Sequence, residues 1–194
     1  HQILISPLCK IQPMKNYDVL VTARSFGKEV PEPMERLLKE GLHILEWREG
    51  SGLEISELIE KVGQADAWIV GSYPIQAALL DNAPRLRIIT KHGVGIDNID
   101  VPAATKRGIL VAIAPGSNDQ AVADLTVGLL LSLVRSIPQA NASVKSGRWE
   151  RFQGFGLTGK TIGMIGLGRI GLGVAKRVKG FGMEILGCDP FWPE

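Results

Sequence analysis

Residues 161–189 constrain the fold more than any other stretch. Thr161, Ile162, Met164 and Ile165 suit a short buried strand. Gly166-Leu-Gly-Arg-Ile-Gly171 follows with G-x-G-x-x-G spacing, and Ile170, Val174 and Val178 then recur at helical intervals, which predicts a helix over 169–182. A second strand, Glu184-Ile-Leu-Gly-Cys-Asp189, ends in a carboxylate 18 positions after Gly171. A strand, a glycine turn, a helix, a strand and an acid in this order form the fingerprint of a dinucleotide-binding unit. The plain alternative is a glycine-rich turn that binds nothing, and the matching acid argues against it.

Each residue type has a physical reason to be there. Gly166 allows the tight turn out of the strand, Gly168 lets the backbone approach a pyrophosphate, and Gly171 lets the helix lie against the strands. The free N–H groups and the positive end of the helix then face the phosphates. Asp189 would accept hydrogen bonds from the adenosine ribose hydroxyls. A 2′-phosphate beside it would cost up to roughly 4 kcal/mol at about 4 Å and an effective dielectric of about 20. That is roughly a thousandfold preference at best, so the expected cofactor is NAD rather than NADP.

The 194 residues are enough for one large domain or two small ones. Hydrophobic residues at 45% and charged residues at 22% are ordinary for a globular protein, and the net charge of +2 offers no basic field for nucleic acid. Cys9 and Cys188 give no disulfide framework, and Cys188, in a strand read as buried, is expected to be a packed thiol. No metal-ligand cluster is evident. The most apolar run, 122–134, is too short to span a bilayer and is interrupted by Asp124, Thr126 and Ser132. The expectation is therefore a cytoplasmic protein with no metal, membrane or nucleic-acid partner.

Upstream, the pattern alternates strand and helix. Strands are expected at 17–22, 43–47, 67–70, 86–90 and 109–112, with helices at 33–40, 55–62, 76–80 and from Asp100 to Gly108. Such βαβ alternation predicts a flavodoxin-like parallel sheet over 17–113. Residues 1–13 read as an extension, in which Ile3, Leu4 and Ile5 could form a strand of their own. Ala114-Pro-Gly-Ser-Asn118 is a cluster of turn formers, so the expected domains are 1–114 and 115–194. The second of these, running to Glu194, reads as the first half of a Rossmann fold. Ser117 and Gln120 are spaced as a capping box for a helix over 119–136. That helix carries Val122, Leu125, Leu129, Leu133 and Ile137 at i, i+3 or i+4 and reads as buried nearly all round, as core or as an oligomer contact. Pro138 bends or ends it, and 147–156 reads as a loop.

The second informative stretch is Lys91-His-Gly-Val-Gly-Ile-Asp-Asn-Ile-Asp100. Its glycines directly follow a strand, where ligands bind in α/β sheets, and exposed N–H groups of such a loop hold a carboxylate without any charged side chain. A tight turn whose glycines serve geometry alone fits the spacing equally well.

With both stretches in hand, the chain resembles the D-isomer-specific 2-hydroxyacid dehydrogenases, most of all those acting on D-3-phosphoglycerate. The resemblance rests on Asp18-Val-Leu-Val-Thr22, residues 91–100, Pro115-Gly-Ser-Asn118 with Val122-Ala-Asp124, residues 157–171 and Cys188-Asp-Pro-Phe191. It implies hydride transfer between NAD and C2 of a small 2-hydroxy or 2-oxo acid, in a homodimer. It also implies that the backbone N–H groups of Val94 and Gly95 bind the substrate carboxylate, with Val94 on the nicotinamide side as well. Arg169 and Ile170 would lie along the pyrophosphate and Asp189 on the ribose. The family's catalytic arginine, glutamate and histidine are expected beyond Glu194, so no catalytic residue is expected in this chain, and these residues alone would be inactive. His1, His43 and His92 do not match the family histidine. Lys91 stands where many members carry arginine, Asp124 where glutamate is common, and Gly71 where many phosphoglycerate enzymes carry arginine. An NAD-sensing, non-catalytic co-repressor built on the same fold, or an inactive fragment, is the alternative function.

Overall fold

A computed structural model describes residues 17–48 and 54–191, and the chain divides into two compact units, 1–115 and 116–194. The expected extension and strand at 1–13 lie outside the described residues.

The first unit is a parallel sheet of order β2-β1-β3-β4-β5, built from β1 (Asp18–Val21), β2 (His43–Glu46), β3 (Ala67–Val70), β4 (Ile88–Lys91) and β5 (Leu110–Ala112). Its crossovers are α1 (Glu32–Lys39), α2 (Ile55–Gln64), α3 (Ala77–Leu80) and α4 (Val101–Lys106). Right-handed crossovers decide which face each helix covers. The chain steps one way from β1 to β2 and the other way from β2 through β5, so α1 lies on one face and α2, α3 and α4 on the other.

Alternation along each strand matches that arrangement. Leu20, Trp68, Val70 and Ile89 pack with Leu58 and Val62 of α2 and Leu80 of α3, whereas Val19, Val21 and Ile69 pack with Met34 and Leu37 of α1. Trp68 is fully buried and its indole N–H donates to the Thr22 hydroxyl at 3.0 Å, so burying it leaves no polar group unsatisfied. At the end of α1, Gly41 takes φ 79°, the left-handed conformation that closes a helix. The Asp100 carboxylate caps α4 by accepting from the Ala103 N–H at 2.9 Å.

The second unit contains α5 (Asp119–Val134), α6 (Ile137–Lys145), β6 (Thr161–Ile165), α7 (Arg169–Lys179) and β7 (Glu184–Cys188), with β6 and β7 paired in parallel. Its core joins Ala123 and Val127 of α5 to Val174 and Val178 of α7, with Ile162, Met164 and Ile185 of the strands against them.

Three expectations fail here. The helix expected over 119–136 is buried on one side only: Leu125, Leu129 and Leu133 are 63%, 61% and 79% exposed. Its packing is set by α7, where a Cβ on Gly173 would lie 3.1 Å from that of Ala123, and nothing among the described residues of the unit covers the leucine face. Secondly, Asn118 rather than Ser117 is the N-cap and makes no side-chain cap bond, while the Gln120 carboxamide oxygen accepts from Arg177 at 3.2 Å instead. By contrast, the helix does end before Pro138, within the reading that this proline bends or ends it: Ser136 turns the chain with φ 52°, and Pro138 lies in the first turn of the new helix α6. Finally, Cys188 is exposed, because helices cover only one face of β6 and β7; Ile165, on the other face, is 97% exposed.

Candidate functional site

The glycine turn of the second unit is assembled from β6, β7 and the head of α7. Gly166 takes φ 92°, and its N–H donates to the Cys188 carbonyl at 2.8 Å, so the chain leaves β6 while still tied to β7. A side chain at Gly171 has no space, since a Cβ there would lie 3.1 Å from the Gly166 carbonyl carbon and closer still to its oxygen. Gly168 is different: it is extended, with φ −67° and ψ −167°, and a Cβ there would meet nothing within 4 Å. One glycine is required by packing, and the other leaves open space beside the backbone. The first intrahelical bond runs from the Leu172 N–H to the Gly168 carbonyl at 2.9 Å. Among the described residues, the N–H groups of Arg169, Ile170 and Gly171 have no backbone acceptor, so the head of α7 carries unspent donors and the positive end of its dipole.

Asp189 completes this turn. Its carboxylate accepts from the Leu167 N–H at 2.6 Å and from the Phe191 N–H at 2.9 Å. These two bonds, Leu167 first, hold its pKa below the usual carboxylate value against a small opposing effect of burial. Leu167 also packs over β7, where a Cβ on Gly187 would come within 2.6 Å of its side chain. Sequence spacing brought Asp189 into the reading, but not its bond to the turn. The Arg169 side chain extends toward Gly116, where an added Cβ would lie 3.6 Å from its guanidinium. Ile170 is 37% exposed.

Asp124 proves to be half of a link between helices. Arg177 Nε donates to it at 2.6 Å, Nη1 to the Gly173 carbonyl at 2.9 Å, and Nη2 to the Gln120 side chain at 3.2 Å. One guanidinium thus ties α5 to α7 and fixes the helix whose head carries the turn. Asp124 and Arg177 lie 53 positions apart, so no local spacing signals the pair.

In the first unit the loops at the carboxyl ends of the strands converge. Gly93 takes φ 135°, open only to glycine, and its N–H donates back to the Lys91 carbonyl at 2.9 Å. Its own carbonyl accepts from the Ala114 N–H at 3.0 Å. Among the described residues the N–H groups of Val94 and Gly95 have no acceptor. Lys91 braces this turn, with Nζ donating to the Gly71 carbonyl at 2.7 Å and to Asn98 Oδ1 at 2.6 Å, while Asn98 Nδ2 donates to the Tyr73 carbonyl at 2.7 Å. Burial lowers the Lys91 pKa, with Asp97 pulling the other way. Gly71 faces the loop after β1, and a Cβ on it would lie 3.1 Å from the Ala23 Cα, so a longer side chain needs a shift of backbone.

The model of the D-isomer specific 2-hydroxyacid dehydrogenase catalytic domain matches residues 19–183. The chain is 50% identical over 147 residues to a D-3-phosphoglycerate dehydrogenase of Methanocaldococcus jannaschii, covering 74% of this chain and 28% of that protein. It is 41% identical over 169 residues to a glyoxylate reductase of Thermococcus litoralis, covering 82% of this chain and 51% of the relative. Among solved structures, D-lactate dehydrogenase from Aquifex aeolicus complexed with NAD and lactic acid superposes with a TM-score of 0.72 at 29% identity, covering 91% of this chain and 52% of that one. The chain therefore spans about half or less of the length of these proteins. With the family model matching most of its residues, the chain belongs to the D-isomer specific 2-hydroxyacid dehydrogenase family.

Proposed function

We propose that the protein transfers a hydride between NAD and C2 of a D-2-hydroxy acid, with 1–114 as the substrate domain and 115–194 as the cofactor domain. The observation that carries this is the contrast within the glycine turn: Gly171 has no room for a side chain, while Gly168 leaves open backbone beside the unspent N–H groups of α7. That combination suits a pyrophosphate pressed against the helix head, with Arg169 and Ile170 alongside. Asp189 uses two of its roughly four acceptor positions on the Leu167 and Phe191 N–H groups, which leaves capacity for the two ribose hydroxyls. When bound, the nicotinamide supplies the hydride acceptor. The free N–H groups of Val94 and Gly95 hold the substrate carboxylate, and Lys91 keeps that turn in shape.

The phosphoglycerate and glyoxylate enzymes among the relatives bracket the substrate, a 3-phosphoglycerate-type or related 2-hydroxy acid. The tight contact at Gly71, which leaves no phosphate-binding side chain there, favours a small unphosphorylated acid. The exposed Leu125, Leu129 and Leu133 face supports a second copy of the chain as partner. The test is NADH formation by the protein at its natural length, with a panel of D-2-hydroxy acids. Turnover restricted to D-acids and NAD is expected, and turnover of L-acids or none of the panel would refute the proposal.

A further inference from the structure

His92 follows β4, yet its side chain is held by the loop after β1. The ring Nε2 lies 3.2 Å from Ser25 Oγ, and the ring meets Phe26 edge-on with centroids 5.6 Å apart. That loop is itself pinned. Arg48 Nη1 donates to the carbonyls of Ala23 at 2.7 Å, Arg24 at 3.0 Å and Phe26 at 3.2 Å. The imidazole is thus fixed on two sides, and among the described residues its Nδ1 has no partner. The next residues in the chain are Gly93, Val94 and Gly95, whose turn carries the two unspent N–H groups. Lys91 and Arg48 spend donors on backbone carbonyls, and Gly71 has no space for another side chain.

We propose that His92, oriented by Ser25, is a specificity-determining residue that reads a hydroxyl on C3 of a short 2-hydroxy acid whose carboxylate sits on the Val94 and Gly95 N–H groups. This rests on the carboxylate reading given above. A neutral imidazole donates from one nitrogen and accepts at the other, and the Ser25 hydroxyl can reverse to suit either tautomer. Nδ1 therefore offers a donor or an acceptor to a substrate hydroxyl. A phosphate dianion, acceptor on every oxygen, gains at most one neutral N–H there.

The experiment is a titration of the chain with D-glycerate, D-lactate and 3-phospho-D-glycerate, followed by the backbone amide and imidazole resonances. All three acids should shift the Val94 and Gly95 amides, with D-glycerate binding about tenfold more tightly than D-lactate, as one net hydrogen bond allows. The glycerate-to-lactate affinity ratio should fall to about one in both His92→Ala and Ser25→Ala and partly return in His92→Gln. Dispersed amide spectra show that each variant is folded. A ratio unchanged in folded His92→Ala, or 3-phospho-D-glycerate binding more tightly than D-glycerate, overturns the proposal while leaving the carboxylate reading intact. Val94 and Gly95 amides that respond to none of the acids sink both.

Discussion

Replacing Gly168 and Gly171 by alanine, one at a time, separates what a glycine does for a cofactor from what it does for the fold. At Gly171 the added methyl would press on the Gly166 carbonyl, a backbone group that cannot swing aside, so the turn or the helix has to move. Overpacking of this kind costs about 1–3 kcal/mol. In a unit the size of 116–194, about 1 kcal/mol moves the unfolding midpoint by about 4–8 °C, so Gly171→Ala should lower Tm by roughly 5–20 °C. At Gly168 the backbone suits any residue and the added methyl touches nothing. Alanine there should leave stability unchanged or raise it by about 0.4–1 kcal/mol through the unfolded chain. On the proposed cofactor reading, the same methyl would occupy the space that a pyrophosphate needs. Losing one or two N–H bonds to phosphate, at about 1.5–3 kcal/mol each, should weaken NAD by at least tenfold. Calorimetric unfolding and NAD titration on the same preparations measure both quantities. If Gly168→Ala unfolds as early as Gly171→Ala, or binds NAD as tightly as the unaltered chain, the steric reasoning is wrong.

The Asp189 carboxylate has a lower pKa folded than unfolded, so its stabilising contribution is present at neutral pH and is lost as pH falls below about 4. The protection factor of the Leu167 amide against hydrogen exchange should fall over that acid range, and Asp189→Asn should abolish this pH dependence of the protection factor. Arg177→Met removes the tie between α5 and α7 and should cost about 1–2 kcal/mol by denaturant unfolding, whereas Asp124→Asn should cost less because Asp124 is 68% exposed. A Leu129→Glu change should shift sedimentation toward monomer without altering the amide spectrum; an unchanged oligomer would show that α5 is not the contact surface.

What the sequence made legible follows from how local each signal is. β3 runs over Ala67–Val70, the range read from an apolar tetrapeptide, because packing against both faces leaves a strand little freedom in sequence. The glycine turn was equally readable, since Gly166 and Gly171 are five positions apart and their clash is a property of one short segment. Burial was harder to read. The apolar arc of α5 looks the same whether it faces a core or lies open, and only the placement of α7 shows that Leu129 is outside. Pro138 fits a helix end and a helix start equally well, and the choice for α6 was made by Ser136 in a left-handed conformation, which no residue type announces. Asp124 and Asp189 show the same divide: each was noticed for its position, while the partners Arg177 and Leu167 come from elsewhere in the chain.

The central claim is that residues 161–189 form a site for NAD. It is tested most directly by titrating NAD and NADP separately into the chain while following the backbone amides. The account predicts that NAD shifts the resonances of Gly168, Arg169, Ile170 and Asp189. NADP should bind more weakly by a factor of up to roughly a thousand, because its 2′-phosphate meets the Asp189 carboxylate. Equal affinity for the two cofactors, or shifts that avoid the glycine turn, would contradict it.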